Sequence, residues 1–519
     1  MRVRTLLLTL PALILAASTP VRAQTFPTDD AVVQRIWEEG IERSMTPALA
    51  QTLMDSIGPR LAGSPELDAA RTWLLAMYES WGIPARNEEY GTWRGWRQGS
   101  LHVDLVAPRP QTLEAELLAY SPGNAGPVEG DVVVPPTGLT EESAALWLET
   151  VAGKYVLTSP PEPMCRARQE LEQYARPATV ARVDSLRQAL QEEMSGRMRA
   201  ISRSARDRMR ALEDAGAAGI VTSRWSGGWG VNKVFDAGTR LVPAIDVSCE
   251  DYGMLFRMVE AGQVPRIRVQ AEAEDLGEVP QFNVIAELRG TELPEEYIVL
   301  SAHLDSWHAG TGATDNGTGT IMMLEAMRIL KAAYPSPRRT IVVGHWGAEE
   351  MGLIGSRSFV EDHPEVIEGL QVAFNQDNGT WRVERIEGQG FIGAGPHIAR
   401  WMSLVPREIS GHVTLEFPGA QNNRGSDHSS FVCMSAPAFR LQSNYDEYRQ
   451  YTWHTNRDTY DKIVFDDLKE NSTLAAMLAY AASEDPERVP GDQALLPVDP
   501  RTGEPRSWMR CGTARRSLN

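Results

Sequence analysis

Four cysteines in 519 residues, none of them in a CxxC pair, exclude both a dense disulfide scaffold and a zinc ribbon. Cys165, Cys249, Cys433 and Cys511 lie far apart, so one or two bridges fit an oxidising compartment, and their spacing fixes no pairing. Basic residues are short too, with 51 Lys and Arg against 69 Asp and Glu. The resulting net charge of −18 repels phosphate and excludes nucleic acid as the main partner. Beyond the N-terminus no apolar run is long enough to cross a bilayer, and no internal repeat occurs. What the chain does have is 42% hydrophobic residues and enough length for a large core in more than one domain.

The first residues set the compartment. Arg2 and Arg4, the apolar run Leu6 to Ala17 and the small-residue site Val21-Arg22-Ala23 predict a cleaved export signal over 1–23. Pro11 breaks the run, which is short for a membrane anchor. The mature chain is expected to be secreted or periplasmic, with no integral span after signal removal.

Helical periodicity from Val32 to Trp81 is interrupted by the turn-rich stretch Gly58 to Pro65. Strand patterns follow at Gly99 to Val106 and Leu113 to Tyr120, separated by Pro108 and Pro110. The stretch 112–273 reads as a separate module, β-rich at its ends and carrying one long helix from Val183 to Leu212. Its apolar stripe is expected to pack on its own domain; a lid or a homodimer contact is the alternative. From Gln281 onward strands alternate with helices: Tyr297 to Leu300, Ile321 to Ala333, Thr340 to Val343, Val372 to Phe374 and Ala438 to Leu441. That alternation predicts an α/β fold with a mainly parallel mixed sheet sandwiched by helices, its site beyond the strands' carboxyl ends. The division is then 24–111 as the N-terminal part of one domain, 112–273 as an insertion, 274–485 as its main part, and 486–519 as an irregular tail.

Chemistry-bearing side chains fall just after those strands. His303 and Asp305 follow the first, Asp315 sits in a glycine-rich loop, Glu349-Glu350 follow the next strand, then Asp377, and His454 lies beyond the last. Two imidazoles and several carboxylates suit zinc, and a carboxylate such as Asp315 can bridge two ions. Adjacent Glu349 and Glu350 can split roles, Glu350 binding metal and Glu349 acting as general base toward a water whose pKa a metal pair lowers. Arg424 and His428 are the candidate substrate contacts. Asp458 is expected either to partner His454 or to cap a helix. Asn471-Ser472-Thr473 matches a glycosylation acceptor away from these residues.

His303-Leu304-Asp305-Ser306-Trp307, Gly312 to Gly319, Trp346 to Ser356, Gly425-Ser426-Asp427-His428 and His454 with Asp458-Thr459 resemble the co-catalytic zinc exopeptidases. These include relatives of carboxypeptidase Q, the vibrio-type aminopeptidases and glutamate carboxypeptidase. Gly58 to Pro65 is similar to that family's N-terminal stretch, and 112–273, above all Arg210 to Val221, to its inserted protease-associated domain. The resemblance implies two Zn2+ per chain, one held by His303 and Asp377, the other by Glu350 and His454, with Asp315 bridging. It gives Glu349 the base role, lets Asp305 orient His303, and makes a short peptide the substrate. Two departures stand out: His308 replaces a commonly acidic residue, and Trp453 precedes the last ligand, where glutamate carboxypeptidase has a tyrosine nearby for the oxyanion. A receptor-like binding protein and a glutaminyl cyclase-like acyl transferase are the alternatives on the same fold.

Overall fold

The computed structural model describes residues 28–420 and 425–518, so the expected signal at 1–23 and Arg424 lie outside the described residues. Among the described residues no helix is long and apolar enough to cross a membrane.

Strands β1 (Ala85–Ala107) and β2 (Arg266–Leu288) pair antiparallel along almost their whole length, from Ala85↔Ala286 to Ala107↔Arg266. Only the second half of β1 was legible as a strand, because exposed charges interrupt the alternation over its first half. The strands β3 (Leu293–His303), β4 (Arg339–Trp346), β5 (Leu370–Asn375) and β6 (Ala438–Gln442) are parallel neighbours in the order β6-β5-β3-β4, and β2 joins β4 antiparallel. Every residue of β4, β5 and β6 is buried, as expected of parallel strands covered on both faces. Helices Thr318–Ala333 and Phe465–Glu484 pack against these strands in one apolar core. Each large apolar side chain buried there contributes about 1.5–3 kcal/mol.

Between β1 and β2 the chain builds a smaller β/α layer, here called the central segment. Its strands Tyr155–Leu157, Gly219–Thr222 and Ala244–Val247 are parallel, and Val128–Val133 joins them to β2, so one sheet runs through the molecule. The long helix expected from Val183 to Leu212 is two helices, Pro177–Ile201 and Ala205–Asp214. Ser204 breaks it by accepting the amide of Asp207, a cap that competes with helix continuation. Met194 and Met198 of the first helix pack into the segment's own core, while Leu186 stays about half exposed.

Disulfides join Cys165 to Cys249 within the central segment and Cys433 to Cys511, tying down the irregular tail. Asn471 cannot accept a glycan. It is buried within Phe465–Glu484, accepting the amide of Val383 and donating to the carbonyl of Trp381.

Candidate metal centre and active site

His303 is the last residue of β3, and its backbone carbonyl accepts a hydrogen bond from Thr320 (2.8 Å). Its Nδ1 faces the backbone carbonyl of Asp305 at 2.9 Å, and its Nε2 lies 3.2 Å from Asp377 Oδ1 and 3.4 Å from Asp315 Oδ1. Asp377 follows β5 by two residues, so the neighbouring strand ends bring these two together. On the other side, His454 Nε2 lies 3.2 Å from Asp315 Oδ2 and 3.0 Å from Glu350 Oε2. Trp307 Nε1–H donates to Glu350 Oε2 (2.9 Å), and Trp453 stacks on the His454 ring at 3.9 Å. All five expected ligands therefore meet, as two groups of three that share Asp315.

Several residues hold the loops in place. Asp305 faces His303 Nδ1 with its backbone carbonyl rather than its carboxylate. That carboxylate lies 3.7 Å from His303 Nδ1 and instead accepts the amides of Glu349 (3.0 Å) and Glu350 (3.2 Å), so the backbone carbonyl does the orienting. Asp458 partners neither His454 nor an ordinary helix. It accepts the amides of Thr314 (2.7 Å) and Asp315 (3.0 Å), capping the loop that carries the shared carboxylate. Nothing in the sequence assigned a role to Arg60, yet its fully buried guanidinium donates to the carbonyls of Leu304, Gly58, Thr311 and Gly312. Burial lowers its pKa to about 10, and Asp458, Asp305 and Asp315 oppose that, so it stays cationic near neutrality.

The electrostatics are those of a cation site. Burial alone would deprotonate His303 and His454, but the surrounding carboxylates overcome it, holding His303 well above its ordinary value and His454 at about 9. Burial and the Asp315 charge push Glu350 up to about 7. Glu349 is raised well above the ordinary range by burial, with Asp377 and Asp427 adding to it. In contrast, the two histidines hold Asp315 low despite its burial. Protons thus stand where divalent cations would sit, and such ions bind by displacing them. The donor set fits zinc in chemistry, with imidazole nitrogen and carboxylate oxygen only, and Asp315 Oδ2 and Glu350 Oε1 are buried without a hydrogen-bond donor.

These groups floor a cleft of about 320 Å³ whose walls include Arg440, Tyr445, Tyr448, Arg449 and Trp453. Asp315, Glu349, Glu350 and Asp377 are the only acidic residues lining it among the described residues. Neither Arg449 nor Lys233 forms an ion pair among the described residues. Lys233 Nζ lies 4.1 Å from the Trp453 ring centroid and the Arg449 guanidinium carbon 5.2 Å. Burial and neighbouring Arg449 lower Lys233 to about 8. His428 is buried at the start of the helix His428–Val432 and does not line the cleft. His308 brings no charge to the cleft either. It is buried, kept neutral with its pKa lowered by desolvation to about 4, and bonded through Nε2 to the carbonyl of Leu117 (2.5 Å).

Residues 283–479 match the model of peptidase family M28. Carboxypeptidase Q of Mus musculus is 26% identical over 444 residues, covering 84% of this chain and 85% of its own length. Two solved structures share the fold. The peptidase M28 precursor from Shewanella amazonensis SB2B aligns with a TM-score of 0.63 at 24% identity, over 88% of this chain and 97% of its own. BSAP, described as a zinc aminopeptidase from Bacillus subtilis, aligns with a TM-score of 0.54 at 18% identity, over 86% and 96%.

Proposed function

We propose that this chain, a zinc metallopeptidase of the co-catalytic exopeptidase family, removes terminal residues from short peptides or splits dipeptides, with Glu349 as general base. One observation carries the reading. Two three-residue donor groups share Asp315, with Glu349 beside them on the cleft floor. His303, Asp377 and Asp315 would hold one zinc ion, and Glu350, His454 and Asp315 a second. Bound zinc supplies Lewis-acid polarisation of the scissile carbonyl and lowers the pKa of water.

The chain's own side chains do the rest. A Glu349 carboxylate oxygen takes a proton from the attacking water and passes it to the leaving nitrogen. Asp305 keeps Glu349 and Glu350 in place through their amides. Trp453 has no hydroxyl for the developing oxyanion, but Tyr448 lines the same cleft. Burial, with Asp315 and Asp377 nearby, holds its phenol well above its ordinary pKa, so it keeps the proton it donates. Every carboxylate on the cleft lining already has a role, whereas Arg449 on the same lining forms no ion pair among the described residues. That balance favours a substrate presenting a free carboxylate at this wall. A non-catalytic receptor would not need Glu349, and a single-zinc acyl transferase would not need both donor groups. Export fits a chain whose four cysteines are all paired.

The test is a dipeptide panel with N-blocked and C-amidated members, run on the wild type and on Glu349→Gln. The substitution should leave bound zinc intact and lower kcat by about 10²–10⁴-fold. Full turnover in Glu349→Gln, or wild-type hydrolysis indifferent to chelators, overturns the reading.

A further inference from the structure

A strap of the central segment, Asn232 to Phe235, lies against the loop that carries His454. Asn232 N–H donates to Asn456 Oδ1 (3.0 Å), and Asn456 N–H donates back to the Asn232 carbonyl (3.1 Å). Lys233 forms a β-bridge with Thr455, and Val234 N–H donates to the backbone carbonyl of His454 (2.8 Å). Phe235 then packs edge-on against the His454 ring (5.1 Å between centroids, 73°) and against Trp307 (5.5 Å, 66°). Trp307 is the side chain that donates to Glu350, so Phe235 touches one expected ligand directly and supports another through its partner.

His454 needs such support. Its φ of 57° lies in the left-handed region, which costs a non-glycine residue roughly 1–2 kcal/mol and persists only where surroundings enforce it. Among the described residues, the His303 and Asp377 side chains have no ring contact or hydrogen bond from the central segment. His303 is fixed by Asp305 and Thr320, and the Asp377 carbonyl accepts Arg440 (2.5 Å).

Resting on the two-ion reading above, we propose that the central segment is part of the metal centre, Phe235 being a positioning residue that sets the occupancy of the Glu350/His454 ion subsite alone. The Phe235 ring limits how far the imidazole can swing, while Trp453 stacks on a face of the imidazole and itself packs edge-on against Phe235 (6.3 Å). Removing the ring frees both His454 and Trp307, and through Trp307 the Glu350 carboxylate. Groups that orient metal ligands from outside typically account for about 10–100-fold in metal affinity.

The experiment is zinc content and zinc affinity of the full-length protein, measured by equilibrium dialysis against zinc buffers with elemental analysis. Phe235→Ala should retain one ion at wild-type affinity and hold the other about 10–100-fold more weakly. Phe235→Leu, which keeps most of the apolar volume, should fall between and serves as the readout if the alanine variant does not fold. Met198→Ala, in the same segment but away from the strap, controls for general loosening and should retain both ions.

In a His303→Ala background the remaining ion should weaken further on adding Phe235→Ala; in a His454→Ala background that addition should change nothing. Two equally tight ions in Phe235→Ala, or equal weakening in Met198→Ala, overturns this inference while leaving the peptidase reading standing. A wild type that binds no zinc overturns the peptidase reading itself.

Discussion

The two sides of the metal centre are built differently. His303 and Asp377 sit at or just beyond the ends of adjacent parallel strands, whose residues Tyr297 to His303 and Leu370 to Asn375 are all buried. Glu350 and His454 sit on loops, and their orientation is borrowed from Trp307, Trp453 and a strap more than 200 residues away in sequence, as the Asn232–Asn456 bond shows. One side inherits its precision from the sheet, whereas the other assembles it from tertiary contacts. An enzyme made this way can adjust the surroundings of Glu350 and His454 without disturbing the strands that fix His303 and Asp377.

Asp315→Ala probes the joint between the two sides and carries the largest expected effect. Because each carboxylate oxygen serves a different side, both ions should be lost together and turnover should fall at least about 10³-fold. An ion retained at full affinity in that variant, read by elemental analysis, breaks the picture of a shared ligand. Next comes Arg60→Met, which removes a buried cation and leaves four carbonyls without their donor. A loss of about 3–5 kcal/mol in unfolding free energy by denaturant titration is expected, with both sides weakened because Arg60 bolts the His303 loop to the Asp315 loop.

The smallest effect concerns the seam with the central segment. The folded-state pKa of His308 is lowered to about 4 from the ordinary 6.5, so its contribution to stability is complete above about 6.5 and is lost as pH falls through about 4. His308→Gln should flatten that acid limb of the stability curve. An unchanged limb would show that His308 does not clasp the segment through Leu117.

The strand-end side was readable from sequence for the reason that makes it rigid. A short, wholly apolar run followed by a histidine or aspartate is a local signal, and β3 and β5 lie where those runs predicted. Glu349-Glu350 was equally plain after β4. Arg60, Asp458, Phe235 and Tyr448 were not. Arg60 acts through backbone carbonyls, which leave no trace in residue identity, and only its place in a Gly-Pro-Arg-Leu stretch hinted at it. Phe235 is an unremarkable aromatic until the strap is folded onto His454. Asp458 was read either as a partner of His454 or as a helix cap, and it instead accepts the amides of Thr314 and Asp315 across the loop. The first half of β1 was lost for a related reason, since a two-stranded ribbon with both faces partly exposed carries no clean alternation.

The ribbon of β1 and β2 also settles how the chain enters and leaves the central segment. Ala107 and Arg266 are cross-strand partners, so all 158 intervening positions (108–265) depart and return through a single doorway about one strand spacing wide. A tight turn could bridge that doorway without moving any residue of β3 to β6. A change made inside that excursion can therefore leave the register of the ribbon and of the strands behind it untouched and still reach the His454 side, where the strap packs.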